Sequence, residues 1–178
     1  MSEPVDLKSL LLPEDWNPDQ LEAEARKVYF EDLVVNPPQT PDFKWLEKRT
    51  IIIANSQGGF QKIFGESSGW ASYSHQKTGN LDVERMRRAR WIRPVLEMRV
   101  PKTKIYVNNH SMKAREYGSQ TRPDRKRLFV TTDTGLLYFI SLVYIEHGLA
   151  LSTAFEPDGQ WLREMLKKHG TTMLSPLP

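Results

Sequence analysis

The sequence predicts an α+β fold in which N-terminal helices pack on a four-stranded antiparallel β-meander and a C-terminal helix closes the chain. Three observations predict it. Apolar residues recur every three or four positions over residues 21–33 and 83–96, the period of a helix with one buried face. From residue 104 to 155 the pattern changes to four short runs rich in β-branched and aromatic residues, the composition of strands. Asp158 then opens a last amphipathic stretch carrying Trp161, Leu162, Met165 and Leu166, which Gly170 ends.

The first helix begins at Asn17-Pro18-Asp19-Gln20. Asn17 can cap, Pro18 suits the first helical position and Gln20 can complete a capping box. Leu21, Ala25, Val28, Tyr29 and Leu33 carry its apolar face to about residue 33. The run Asn36-Pro37-Pro38-Gln39-Thr40-Pro41 stops the helix and reads as a semi-rigid linker. The expected division is therefore an acidic N-terminal helical arm and linker over residues 1–41 and a main domain over residues 42–178. In the main domain, residues 50–54 read as a short buried strand, and Phe60 to Phe64 as a short helix after the turn residues Gly58-Gly59. Asn80 or Asp82 can cap a second long helix with Val83, Met86, Ala89, Ile92 and Leu96 on its core side, which Pro94 ends or kinks. The strands follow at 104–108, 126–132, 136–146 and 149–155. Residues 109–124, between the first two, form a polar loop too long for a tight hairpin and suited to binding or catalysis.

Composition narrows the function. No cysteine occurs among 178 residues, so a disulfide framework and a thiolate zinc site are both excluded. The start of the chain lacks the basic and apolar regions of a secretory signal, and the richest apolar stretch, 135–155, is interrupted by Glu146, His147 and Gly148. A cytoplasmic protein with no membrane partner is expected. Glycine-rich dinucleotide and triphosphate loops, the paired-histidine zinc-peptidase motif and the nucleophile elbow are all missing, so no cofactor is expected.

Charge is unevenly placed. Residues 1–50 hold eleven acids against six bases, whereas residues 85–127 hold fourteen bases against three acids. Such an excess attracts phosphates, and it makes nucleic acid the expected partner, RNA ahead of DNA. The competing reading is a solvated face neutralised by the acidic N-terminal third. On the first reading Arg85, Arg88, Arg90, Arg93, Arg115, Arg125 and Lys126 contact the nucleic acid backbone.

Cleaving RNA through its own 2′-hydroxyl requires a base, an acid and fixed donors around the phosphate, all of which histidine, arginine and hydroxyl residues supply. His169 ends a helix, where the dipole favours a cation, and reads as structural; His147 lies in a tight turn and is expected to be solvent exposed. His75, ahead of the arginine-rich helix, and His110, at the start of the basic loop, are the candidate bases. Arg125 and Arg127 share a strand face and can bracket a phosphate. Ser152 and Thr153 point to opposite faces of the last strand, so one of them can meet a ligand. Tyr138, Tyr144 and Phe155 are candidates for stacking or donation, although strand aromatics more often pack in cores.

The order of these pieces is similar to a known group. A helix followed by Arg90-Trp91-Ile92-Arg93-Pro94-Val95-Leu96-Glu97, the basic strand Arg127-Leu128-Phe129-Val130 and a hairpin ending Leu149-Ala150-Leu151-Ser152-Thr153-Ala154-Phe155 resemble the phage-associated branch of the barnase, EndoU, colicin and RelE-like nucleases over residues 72–168. The resemblance implies helices packed on a four-stranded antiparallel sheet and metal-independent ribonuclease activity, often that of a toxin with a protein inhibitor. It also implies that His75, Arg127 and Thr153 occupy the helix-side, central-strand and last-strand catalytic places. The resulting expectation is a metal-independent endoribonuclease. His75 is its base with His110 as substitute, Arg127 and Arg125 hold the phosphate, and Thr153 with Tyr138 donates to its oxygens. The alternatives are a non-catalytic nucleic-acid-binding or phage accessory protein using the same basic surface, and an adaptor docking an acidic protein.

Overall fold

A computed structural model describes residues 3–40, 51–67, 77–108, 115–117, 120–122, 127–133, 135–145, 148–168 and 171–174. After a 3-10 turn at Leu7–Leu10, helix α1 spans Pro18–Arg26. Its start is the expected capping box: Gln20 N–H donates to Asn17 Oδ1 and Asn17 N–H to Gln20 Oε1, both at 2.9 Å. The helix runs on to residue 33 as anticipated, but Lys27–Leu33 is a π-helix, seen where Val34 N–H donates to the Tyr29 carbonyl at 2.9 Å. The apolar spacing explains the change. Leu21, Ala25, Tyr29 and Leu33 recur at intervals of four, which overshoots an α turn and undershoots the wider π turn. Joining the two keeps all four side chains buried in one stripe.

Helix α2 spans Gln57–Phe64, capped by Ser56, whose Oγ accepts from Gly59 N–H at 3.0 Å. Tyr29 crosses to it and donates its hydroxyl to the Ala54 carbonyl at 2.6 Å. A Cβ at residue 59 would lie 2.5 Å from the Tyr29 hydroxyl and 2.7 Å from the Ala54 carbonyl oxygen, whereas one at residue 58 would meet only Ser56 Oγ, at 3.9 Å. Gly59→Ala is therefore expected to destabilise by about 1–3 kcal/mol through overpacking. Gly58→Ala should be neutral or stabilising by up to about 1 kcal/mol; denaturant melts of the two variants check the contrast.

Burial pushes the Tyr29 phenol up to about 12. In the unfolded chain it ionises near pH 10, so the folded protein keeps a proton that the unfolded chain gives up. This contribution is complete below about pH 10 and is lost as pH rises toward 12. Stability should fall over that window, and Tyr29→Phe should flatten the fall; melts across the alkaline range test it.

Helix α3, Val83–Arg87, is capped by Asp82, which accepts from the N–H groups of Glu84 and Arg85. The long helix predicted over residues 83–96 is instead three pieces: α3, a 3-10 turn at Ala89–Trp91, and α4 at Ile92–Leu96. Pro94 accounts for the break, because a proline is tolerated only where the first turn of a helix lacks an N–H partner. Restarting at Ile92 puts Pro94 in such a turn. The core side is nonetheless as expected, with Met86, Ala89, Ile92 and Leu96 buried together with Trp91 and Val95.

Short hairpins form from β2 (Gly65–Ser67) with β3 (Lys77–Leu81), and from β5 (Arg115–Tyr117) with β6 (Gln120–Arg122). The main sheet contains β1 (Ile51–Ile52), β4 (Lys104–Asn108), β7 (Arg127–Thr131), β8 (Phe139–Ile145), β9 (Gly148–Phe155) and β10 (Thr171–Leu174) in the order β1-β9-β8-β7-β4-β10. The α+β class is as predicted, but the sheet is six-stranded and mixed, not a four-stranded meander. The four predicted strands run antiparallel to their neighbours in the centre; β1 adds a parallel edge on β9, and β10 an antiparallel edge on β4.

The sheet has two unlike faces. Ile105, Leu128, Val130, Ile140, Leu142, Leu149, Leu151 and Ala154 join the helices in the main core. Leu7, Leu12, Leu21, Ala25, Tyr29 and Leu33 belong to that same core, so the segment read as an arm is packed into it. The second face is covered by α5 (Gly159–Lys168) through a smaller cluster of Phe129, Phe139 and Leu162, with Tyr106, Leu137, Phe155, Met165 and Leu166 around it. Among the described residues no helix is long and apolar enough to cross a membrane.

Candidate nucleic-acid interface

The helical half of the basic segment is engaged within the molecule. Arg90 donates from Nε and Nη2 to Glu24 Oε1 at 3.1 and 2.8 Å. Arg93 holds Asp32 at 2.9 Å, Glu97 at 3.0 Å and the Asn36 carbonyl. Arg88 lies between Glu84, at 2.6 Å, and Glu156, and Arg85 lies 3.6 Å from Asp82 with its guanidinium over the Phe155 ring. The side chains of Arg85 and Arg88 are only 11% and 13% exposed. Their neighbours Arg87 and Arg99 pair with Glu84 and Glu97. Acids of the N-terminal segment thus meet Arg90 and Arg93, while Arg85, Arg87, Arg88 and Arg99 are met by Asp82, Glu84, Glu97 and Glu156. The partner pulls the carboxylate as well: the hydrogen bond from Arg88 holds Glu84 below the ordinary carboxylate value.

The second sheet face carries Arg127 and two hydroxyl residues. Register pairs Phe129 with Ser141 and Ser141 with Thr153, so these residues cross three adjacent strands on one row. Arg127 stands opposite Val143, one row further along. Alternation puts Arg127 on the same face as Phe129, diagonal to Ser141, about 7–8 Å away between backbones and within the span of an arginine side chain. Thr153 reaches this face through a bulge. The register slips at Ser152, so Leu151 and Ala154 both enter the main core while Thr153 and Phe155 turn toward α5. Strict alternation would have sent Thr153 to the same side as Leu151.

Ser141 lies between Arg127 and Thr153 and is 2% exposed, and among the described residues its Oγ has no hydrogen-bond partner. A buried hydroxyl left unpaired costs roughly 1–3 kcal/mol. Its signal in the sequence is slight: one hydroxyl in the otherwise apolar run Phe139-Ile140-Ser141-Leu142-Val143.

The predicted site residues divide accordingly. Arg127 and Thr153 come together on this face. Tyr138, expected to donate beside Thr153, is instead enclosed in the main core, 1% exposed, with its ring edge-on to Trp91 at 5.3 Å. Burial pushes its phenol well above the ordinary value, and the hydroxyl stays protonated on the opposite side of the sheet from Thr153. Tyr144 likewise packs against the main core, while Phe155 faces α5. His75, His110, His147, His169, Arg125 and Lys126 lie outside the described residues, as does the side chain of Arg115.

Comparison with family models, with curated proteins and with solved structures finds no match for this chain.

Proposed function

We propose that this protein is a metal-independent endoribonuclease whose substrate phosphate sits at the end of the second sheet face. One observation carries the reading: the Arg127 guanidinium and the Thr153 hydroxyl share one face of three adjacent strands, with the buried Ser141 between them. The composition of the stretch ending at Arg127 adds to it. Residues 109–127 hold six bases and two acids.

In the proposed reaction the substrate's 2′-oxygen attacks phosphorus. The O2′–P bond forms, the P–O5′ bond breaks, and the products are a 2′,3′-cyclic phosphate and a 5′-hydroxyl. A base takes the 2′-hydroxyl proton and an acid returns one to O5′. The base is assigned to His75, with His110 as its substitute. Arg127 offers two parallel N–H donors to the crowded phosphate, and Thr153 donates its hydroxyl to a phosphate oxygen that gains charge at the transition state. A cytoplasmic effector of this kind, a toxin or phage-conflict nuclease held by a protein inhibitor, belongs to the same proposal.

Incubating the purified chain with cellular RNA in excess chelator tests it. Discrete fragments ending in cyclic phosphate are expected. Intact RNA that is nevertheless retarded by the protein would replace the nuclease with a non-catalytic binder at the same face.

A further inference from the structure

Trp161 stands at the border of the candidate site and is 41% exposed. It lies in the first turn of α5, where Asp158 caps the helix by accepting from Gln160 and Trp161 N–H groups at 2.9 and 3.0 Å. Two rings fix its plane: Phe139 meets it edge-on at 5.4 Å and 84°, and Phe155 at 5.2 Å and 63°. Phe155 is two residues beyond Thr153 on the same face, a step of about 7 Å along a strand. A large, rigid and half-open aromatic surface therefore lies beyond Phe155 on the face that holds Thr153, with Arg127 on the far side of the Thr153 row.

Among the described residues no polar partner is seen for this indole, and its exposed part is what a nucleobase would use. Stacking on an aromatic side chain is available to every base, but only when the base is not already stacked and paired within a duplex. Resting on the proposed phosphate site, we infer that Trp161 is a stacking platform for a base next to the bound phosphate, and that it makes the site selective for single-stranded RNA. The rings of Phe139 and Phe155 act as its supports and do not themselves meet the base.

The test uses the full chain and a short oligouridylate with 2′-O-methyl riboses, which cannot be cleaved, with a duplex of equal length as control. Trp161→Ala is expected to weaken binding of the single strand about tenfold or more. Trp161→Phe should retain most of the affinity, and neither variant should alter duplex binding. Oligouridylate should also quench tryptophan emission of the parent protein and fail to quench that of Trp161→Phe. If Trp161→Ala binds the single strand as tightly as the parent while Arg127→Ala does not, the stacking role falls and the phosphate site stands. If the parent binds no single strand, both fall. Equal losses in both Trp161 variants accompanied by lowered melting temperatures would make the residue a packing element and overturn the inference.

Discussion

Replacing Arg127 by alanine is expected to lower the RNA cleavage rate by at least about a hundredfold, the loss typical when one preorganised transition-state donor is removed. Arg127→Lys keeps the charge but not the paired donors, and should recover only part of the rate. Arg90→Ala and Arg93→Ala provide the contrast. Their guanidinium groups are engaged by Glu24, Asp32 and Glu97, so cleavage should change by no more than about threefold, a loss worth well under 1 kcal/mol. Arg93→Ala should instead lower stability, since it leaves Asp32 and the Asn36 carbonyl without this donor and Glu97 with Arg99 alone. Single-turnover cleavage assays beside thermal melts separate the two behaviours.

Trp91→Ala is expected to have the largest effect on folding. The indole is 1% exposed, stands edge-on to Tyr138 and lies under the Arg88 guanidinium at 5.4 Å. Among the described residues its Nε1 has no hydrogen-bond partner, so the loss is one of packing and not of a hydrogen bond. Removing a buried tryptophan costs about 3–5 kcal/mol, a large part of the roughly 5–15 kcal/mol that holds a domain folded. At this length a melting temperature lower by about 6–20 °C follows. The substitution also empties the space between α4, the 3-10 turn before it and the sheet, so Tyr138 should gain solvent exposure, visible as ionisation of a phenol at lower pH in an alkaline titration.

Local features were the most legible in the sequence. The Asn17 and Gln20 capping box, the Asp82 cap and the four central strands each depend on residues close together in the chain, and each is present. Features that depend on distant partners were not. The arginine run was visible, but Arg90 pairs with a carboxylate 66 residues away and Arg93 with one 61 residues away. Composition reports how much charge a segment has and says nothing of what meets it. Strand β1 falls within the strand expected over residues 50–54, but its parallel pairing with β9, a partner about a hundred residues on, was not legible, and β10 is four residues long, too short for alternation to separate it from a loop. The π-helix keeps the four-residue spacing of the stripe and so hides within a helical pattern. At the site, Arg127 and Thr153 were legible as basic and hydroxyl residues of strands, and the bulge at Ser152 was not. That single extra residue decides which face receives Thr153. Ser141 was passed over because its neighbours on both sides are apolar.

The most direct test of the account is a crystal structure of the protein with a ribonucleoside 3′-phosphate bound. The account predicts phosphate oxygens within hydrogen-bond distance of the Arg127 guanidinium and the Thr153 hydroxyl, with the base toward Trp161. A phosphate lodged instead against Arg93 and Arg99 near Asn36 and Gln39, with Arg127 and Thr153 making no contact, would contradict it.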